Sequence, residues 1–197
     1  MQILGIVAHE LGHWALMHFL YGITLSLLQI YVTFYAFSFS LKYTNMATNF
    51  GFAEQELGDP NASGHPRSVY LSLTIFSMML KPVDFVLEIL MIWMTRHNEF
   101  AADKYSVEQG YGLALRMGLI GIHINNAANV NPDPLFAALK FTHPALVERL
   151  AAIDACMAEN VNLPKGTDSA EIHKAYKEAW KEKIVARHGE EAFDEQG

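Results

Sequence analysis

The stretch WALMHFLYGITLSLLQIYVTFYAFSFSL, from Trp14 to Leu41, contains no Asp, Glu, Lys or Arg. As a helix it would run about 42 Å at 1.5 Å per residue, against a bilayer core of about 30 Å. One tilted transmembrane helix that reaches past the core at one end fits this length. A buried core helix is the competing reading, but soluble core helices rarely stay uncharged for so long. Beyond it, residues 42–67 carry Asn, Gly, Asp-Pro and His-Pro and read as a loop. Residues 69–94 are apolar again, interrupted by Lys81-Pro82, Asp84 and Glu88. Pro82 is expected to kink or break that helix, giving a second span or a hairpin of two half-spans.

The rest of the chain has a different character. Residues 99–110 are more polar and helical, Pro132 and Pro134 mark a loop, and Pro144 stands where a helix over residues 145–160 should begin. Residues 168–189 alternate Lys and Glu and read as a solvated amphipathic tail. No alternating strand pattern occurs. The expected fold is therefore all-α, a multi-pass membrane bundle with a soluble helical C-terminal part.

Only 18% of the 197 residues are charged, less than the roughly 25% of a soluble domain. The net charge is −7 and no basic stripe appears, which argues against a nucleic-acid partner. Cys156 is the single cysteine, so no internal disulfide can form, and it reads as a small buried apolar residue.

On the N-terminal side of the apolar run stands His9-Glu10-Leu11-Gly12-His13. Histidines four apart on a helix share one face and can reach a single tetrahedral zinc ion. Glu10 lies slightly aside, where it can take a proton from the attacking water. Gly12 is costly inside a helix and suggests close approach of another backbone or of substrate. A catalytic zinc takes three protein ligands. Glu99, in Glu99-Phe-Ala-Ala-Asp103, is the best third candidate. Asp103, one turn later, could accept the free ring N–H of a ligand histidine. His18, His97, His123, His173 and His188 have no partner at ligand spacing and read as solvated or interfacial. His65 reads as part of a turn. His143, just before Pro144, is either a helix cap or a donor to an oxyanion. Lys81, Asp84, Glu88, Met91, Thr95 and Glu99 fall within about a third of a helical turn of one another. Such a stripe either lines a hydrated space leading to the metal or reflects a Lys81–Asp84 pair packed between helices.

Together, His9-Glu-Leu-Gly-His-Trp14, Thr95-Arg-His-Asn-Glu99-Phe-Ala-Ala-Asp103 and Thr142-His-Pro-Ala-Leu-Val-Glu-Arg149-Leu resemble the type I CAAX prenyl endopeptidases in order and spacing. Asn49-Phe-Gly-Phe52 and Lys81-Pro-Val-Asp84 add to the likeness, which covers roughly residues 1–158. The resemblance implies a multi-pass zinc protease of the endoplasmic reticulum and nuclear envelope membranes, whose helices enclose a water-filled chamber. Its substrates would be prenylated CAAX proteins, from which it removes the last three residues. It also implies that His9, His13 and Glu99 bind zinc, that Glu10 is the general base, and that His143 stabilises the tetrahedral intermediate. In that family several transmembrane helices precede the first motif. Residues 1–158 would then be the C-terminal catalytic region of such an enzyme and residues 159–197 its tail. The related HtpX-like quality-control proteases share the first two motifs. A zinc-binding fragment without turnover is the reading of a different class.

Overall fold

The computed structural model describes residues 2–40, 50–51, 69–127, 129 and 131–188, without the side chains of 69, 71 and 184–188. Among these residues every regular element is a helix. In order they are α1 (Gln2–Ala15), α2 (His18–Ser40), α3 (Val69–Glu108), α4 (Gly112–Asn125), α5 (Pro134–Lys140), α6 (Leu146–Asn160) and α7 (Ser169–His188). Most of the loop expected over residues 42–67, and His65 with it, lies outside the described residues.

The chain divides into two compact units, Leu20–Leu90 and the remainder, Met1–Phe19 with Met91–Gly197. The first holds most of α2, none of whose residues is buried, and Leu20, Tyr21, Tyr31, Phe34 and Tyr35 are all well exposed. Among the described residues, α2 is the one helix long and apolar enough to cross a membrane. It begins at His18 and not at Trp14, because Met17 turns the chain out of α1 with φ 57°. The helix expected over residues 69–94 differs more. It runs unbroken through Pro82 for 40 residues. Lys81, Asp84 and Glu88 interrupt its apolar sequence and are exposed, so it does not have the composition of a span. Neither a break at Pro82 nor a hairpin forms.

In the other unit, α1 packs on α4, α4 on α6, and α6 on α7. The α1–α4 approach is close because Gly5 has no side chain: a Cβ there would stand 2.1 Å from the backbone nitrogen of Leu115. The core joins Val107 of α3, Leu115 and Leu119 of α4, Leu146, Ile153 and Met157 of α6, and Ile172 and Tyr176 of α7. The segment expected as a solvated tail is thus amphipathic but not free. Its apolar face completes this core, and the Tyr176 hydroxyl donates to the Val107 carbonyl while accepting from Gly112 N at 3.3 Å. Cys156 is half-buried beside the core, and burial raises its thiol pKa. Pro144 stands two residues before α6, with Ala145 as its N-cap.

Candidate metal centre

The site lies within the unit formed by Met1–Phe19 and Met91–Gly197. Helix α1 presents His9 and His13 on one face, with their Nε2 atoms 3.2 Å apart. Gly12, on the same helix, lets α1 lie against α3. A Cβ at that position would stand 3.2 Å from the Ala102 Cα and 3.1 Å from the Tyr105 ring. Another backbone does approach here. The contact also brings Glu99, on the same face of α3 one turn before Asp103, opposite the two imidazoles.

Glu99 is buried. Its Oε1 is 3.4 Å from His13 Nε2, and its Oε2 is 3.6 Å from His9 Nε2. One donor atom from each of His9, His13 and Glu99 can be chosen so that all lie within 4.8 Å of one another. Glu99 Oε2 also has His143 Nδ1 at 3.0 Å and Arg149 Nη1 at 3.1 Å. Despite these distances it is a buried oxygen with no aligned hydrogen bond. Arg149 gives this buried carboxylate a compensating charge, and both imidazole Nε2 atoms face the same group. Two imidazoles and one carboxylate form the donor set of a three-ligand catalytic zinc site, so the residues present fit the ion. Burial alone would raise the Glu99 pKa. His13, His143 and Arg149 outweigh it and hold the carboxyl well below its usual range.

Around these three residues lies a polar shell. His9 Nδ1 is 2.9 Å from Asp103 Oδ1. Arg149 of α6 forks onto the same carboxylate and places Nη2 3.5 Å from His9 Nδ1. His13 Nδ1 meets His18 Nδ1 at 3.0 Å. Glu10 is exposed on α1, close enough for its charge to act on His143. His143 sits in the segment between α5 and α6 with its side chain 66% exposed, and the Glu99 carboxylate raises its pKa. It is not the cap of α6, since Ala145 takes that place and the Glu148 carboxylate accepts from Ala145 N at 3.3 Å. Beside His143 a cleft of about 340 Å³ opens, lined by His123, Pro132, Lys140, Phe141 and Leu146 among others.

The structure therefore brings His9, His13, Glu99, Asp103 and His143 into one cluster, with Glu10 at its exposed side. Sequence reasoning missed two members. Arg149 stood in a quoted motif with no role assigned. His18 read as solvated or interfacial, and its offset of five from His13 would put it on another face of a continuous helix. Of the other histidines, His173 pairs with Asp154 at 2.9 Å, His97 stacks on Trp93, and His123 bonds the Leu119 carbonyl.

The chain belongs to peptidase family M48, whose model matches residues 1–157. It is similar to the CAAX prenyl protease 1 homolog of Arabidopsis thaliana, 32% identical over 78% of this chain and 33% of that protein. It is also similar to CAAX prenyl protease 1 of Saccharomyces cerevisiae, 31% identical over 78% of this chain and 34% of the relative. Among solved structures it resembles S. mikatae Ste24p, with TM-score 0.62 and 28% identity over 77% of this chain and 35% of that one. The chain spans about a third of the length of these curated relatives.

Proposed function

We propose that this chain carries the catalytic centre of a zinc metalloendopeptidase that removes the C-terminal tripeptide from prenylated CAAX proteins at a membrane, that of the endoplasmic reticulum. The observation that carries the reading is the convergence of one donor atom each from His9, His13 and Glu99 on a common space. The relatives named CAAX prenyl protease 1 support the substrate class. The uncovered apolar surface of α2 supports a lipid environment.

His9, His13 and Glu99 would hold one zinc ion. When bound, zinc supplies the Lewis acidity that polarises the scissile carbonyl and lowers the pKa of water. Glu10, exposed and next in sequence to His9, takes the proton of the attacking water and passes it to the leaving amine. Asp103 holds the His9 ring by accepting its Nδ1–H. His143 reaches the site from the cleft side and donates to the carbonyl oxygen as it becomes anionic. The cleft beside His143 gives the peptide backbone a place to lie.

The test measures zinc per chain together with cleavage of a farnesylated CAAX peptide in detergent. About one zinc per chain and chelator-sensitive release of the tripeptide support the reading. Zinc binding without cleavage of this or any unprenylated peptide would leave a metal-binding protein only. Cleavage of unprenylated membrane peptides in preference would favour a quality-control protease.

A further inference from the structure

The two histidines of the HExxH motif are held from behind by different chemistry. His9 turns Nδ1 to Asp103 Oδ1, 2.9 Å away. Arg149 Nη2 is farther, at 3.5 Å. The carboxylate therefore takes the ring proton and the guanidinium does not compete for that nitrogen. Among the described residues, no carboxylate stands behind His13 at Nδ1. Its Nδ1 meets His18 Nδ1 at 3.0 Å, with the rings edge to face and their centroids 5.0 Å apart.

A local break in the backbone makes this contact. In an unbroken helix, residues five apart point about 140° away from one another at 100° per residue. Here α1 closes with Leu16 N bonded to Gly12 O and Met17 N bonded to Trp14 O. Met17 then takes φ 57°, a conformation that a residue with a side chain rarely adopts. The turn returns His18, the first residue of α2, to the end of α1. A left-handed non-glycine residue persists where its surroundings require it.

Two facing imidazole nitrogens at this distance need one proton between them. If both were bare their lone pairs would repel, and if both were protonated they would clash. His13 Nε2 points into the site, 3.4 Å from Glu99 Oε1 and 3.2 Å from His9 Nε2. A ligand imidazole is neutral, and the nitrogen away from the metal carries the proton and donates it to a partner. With Nε2 given to the metal, His13 Nδ1–H is the donor and His18 Nδ1 the acceptor, so His18 carries its own proton on Nε2.

We infer that His18 is the positioning residue for His13, fixing its tautomer and ring orientation for metal ligation through Nε2. The inference rests on the metal reading proposed above. It also makes the two ligand rings unequal, one backed by an anion and the other by a neutral ring.

The test compares zinc dissociation constants by chelator competition in detergent. His18→Phe keeps a ring and removes the acceptor, and its zinc affinity should fall about 10- to 100-fold. His18→Asn places an amide oxygen near the position of the histidine Nδ1 and should stay close to wild type. An unchanged affinity in His18→Phe, or an Asn variant as weak as the Phe one, overturns the inference. His13→Ala separates the two layers of argument. If it loses zinc while His18→Phe does not, only this inference fails. If it too keeps zinc, the metal reading fails and takes the inference with it. Long-range ¹H–¹⁵N imidazole spectra of the zinc-loaded wild type give a reading that needs no variant to fold. They should show His13 protonated at Nδ1 and His18 at Nε2. A proton on His18 Nδ1 overturns the assignment.

Discussion

Arg149 grips Asp103 with a two-point fork, Nε at 2.9 Å from Oδ2 and Nη2 at 2.6 Å from Oδ1, and both side chains are buried. Its third nitrogen lies 3.1 Å from Glu99 Oε2. One cation from α6 thus holds two carboxylates of α3, including the proposed ligand. Removing one partner of a buried pair leaves the other uncompensated, at a cost of about 3–5 kcal/mol. Arg149→Met should lower the thermal midpoint by roughly 10 °C on that basis. Arg149→Lys should fall between the two, since a lysine supplies charge without the planar fork. An unchanged midpoint in the Met variant would show that the pair adds nothing to stability.

Glu99 and Glu10 should separate metal binding from turnover. Glu99 lies between the two imidazoles, whereas Glu10 is exposed at the edge of the site. Glu99→Ala is expected to lower zinc content, and Glu10→Gln to keep zinc while abolishing cleavage. Metal analysis beside a peptide assay decides it. Wild-type zinc in Glu99→Ala would remove Glu99 from the ligand set.

His143→Ala should reduce kcat by on the order of 100- to 1000-fold, the loss seen when one oxyanion donor is removed from other hydrolases. Zinc content and melting temperature should stay near wild type, because the side chain is two-thirds exposed and Ala145 caps α6. A normal kcat with a lowered melting temperature would make His143 a structural residue.

Two helical glycines should respond in opposite ways. At Gly5 an added methyl meets the Leu115 backbone at 2.1 Å, and backbone cannot swing aside. Gly5→Ala should push α1 off α4, destabilise by at least the 1–3 kcal/mol typical of overpacking, and weaken zinc retention at His9. At Gly22 none of the described residues would lie within 4 Å of an added Cβ. Gly22→Ala should be neutral or stabilising, by up to about 1 kcal/mol from helix propensity. Equal thermal midpoints for the two variants would contradict the packing argument.

Much of the site was legible because its residues sit at helical offsets. His9 and His13 are four apart, as are Glu99 and Asp103, and each pair is carried by one helix. Arg149 was not legible in that way. A buried arginine on α6 has the same local sequence as a solvated one, and only the fold brings Asp103 to it. His18 was hidden by an irregular turn, since no pattern in Trp14-Ala-Leu-Met announces the left-handed Met17. The opposite error occurred at Pro82, where a strong local breaker was overridden and α3 continues. Charge misled at α7. Alternating Lys and Glu describe its outer face, while Ile172 and Tyr176, four apart on the inner face, were read as part of a tail.

That inner face supports the last prediction. Tyr176 is 1% exposed, fills the core between α3, α4 and α6, and ties the Val107 carbonyl to Gly112 N through its hydroxyl. Tyr176→Phe keeps the ring but leaves the buried Gly112 N–H without its acceptor, while the Val107 carbonyl keeps its bond from Gly110 N at 3.0 Å. The expected loss is about 1–3 kcal/mol. Tyr176→Ala also opens a cavity and should lose more, about 3–5 kcal/mol, by analogy with other large aromatic truncations. Lys177→Ala, one residue on and exposed, should change stability by less than about 0.5 kcal/mol. Because α6 carries both Arg149 and the core residues facing α7, the Ala variant should also bind zinc more weakly than wild type. Chemical denaturation of the three variants, with zinc content measured alongside, checks the series. If Tyr176→Ala matched Lys177→Ala, α7 would be a solvated tail after all.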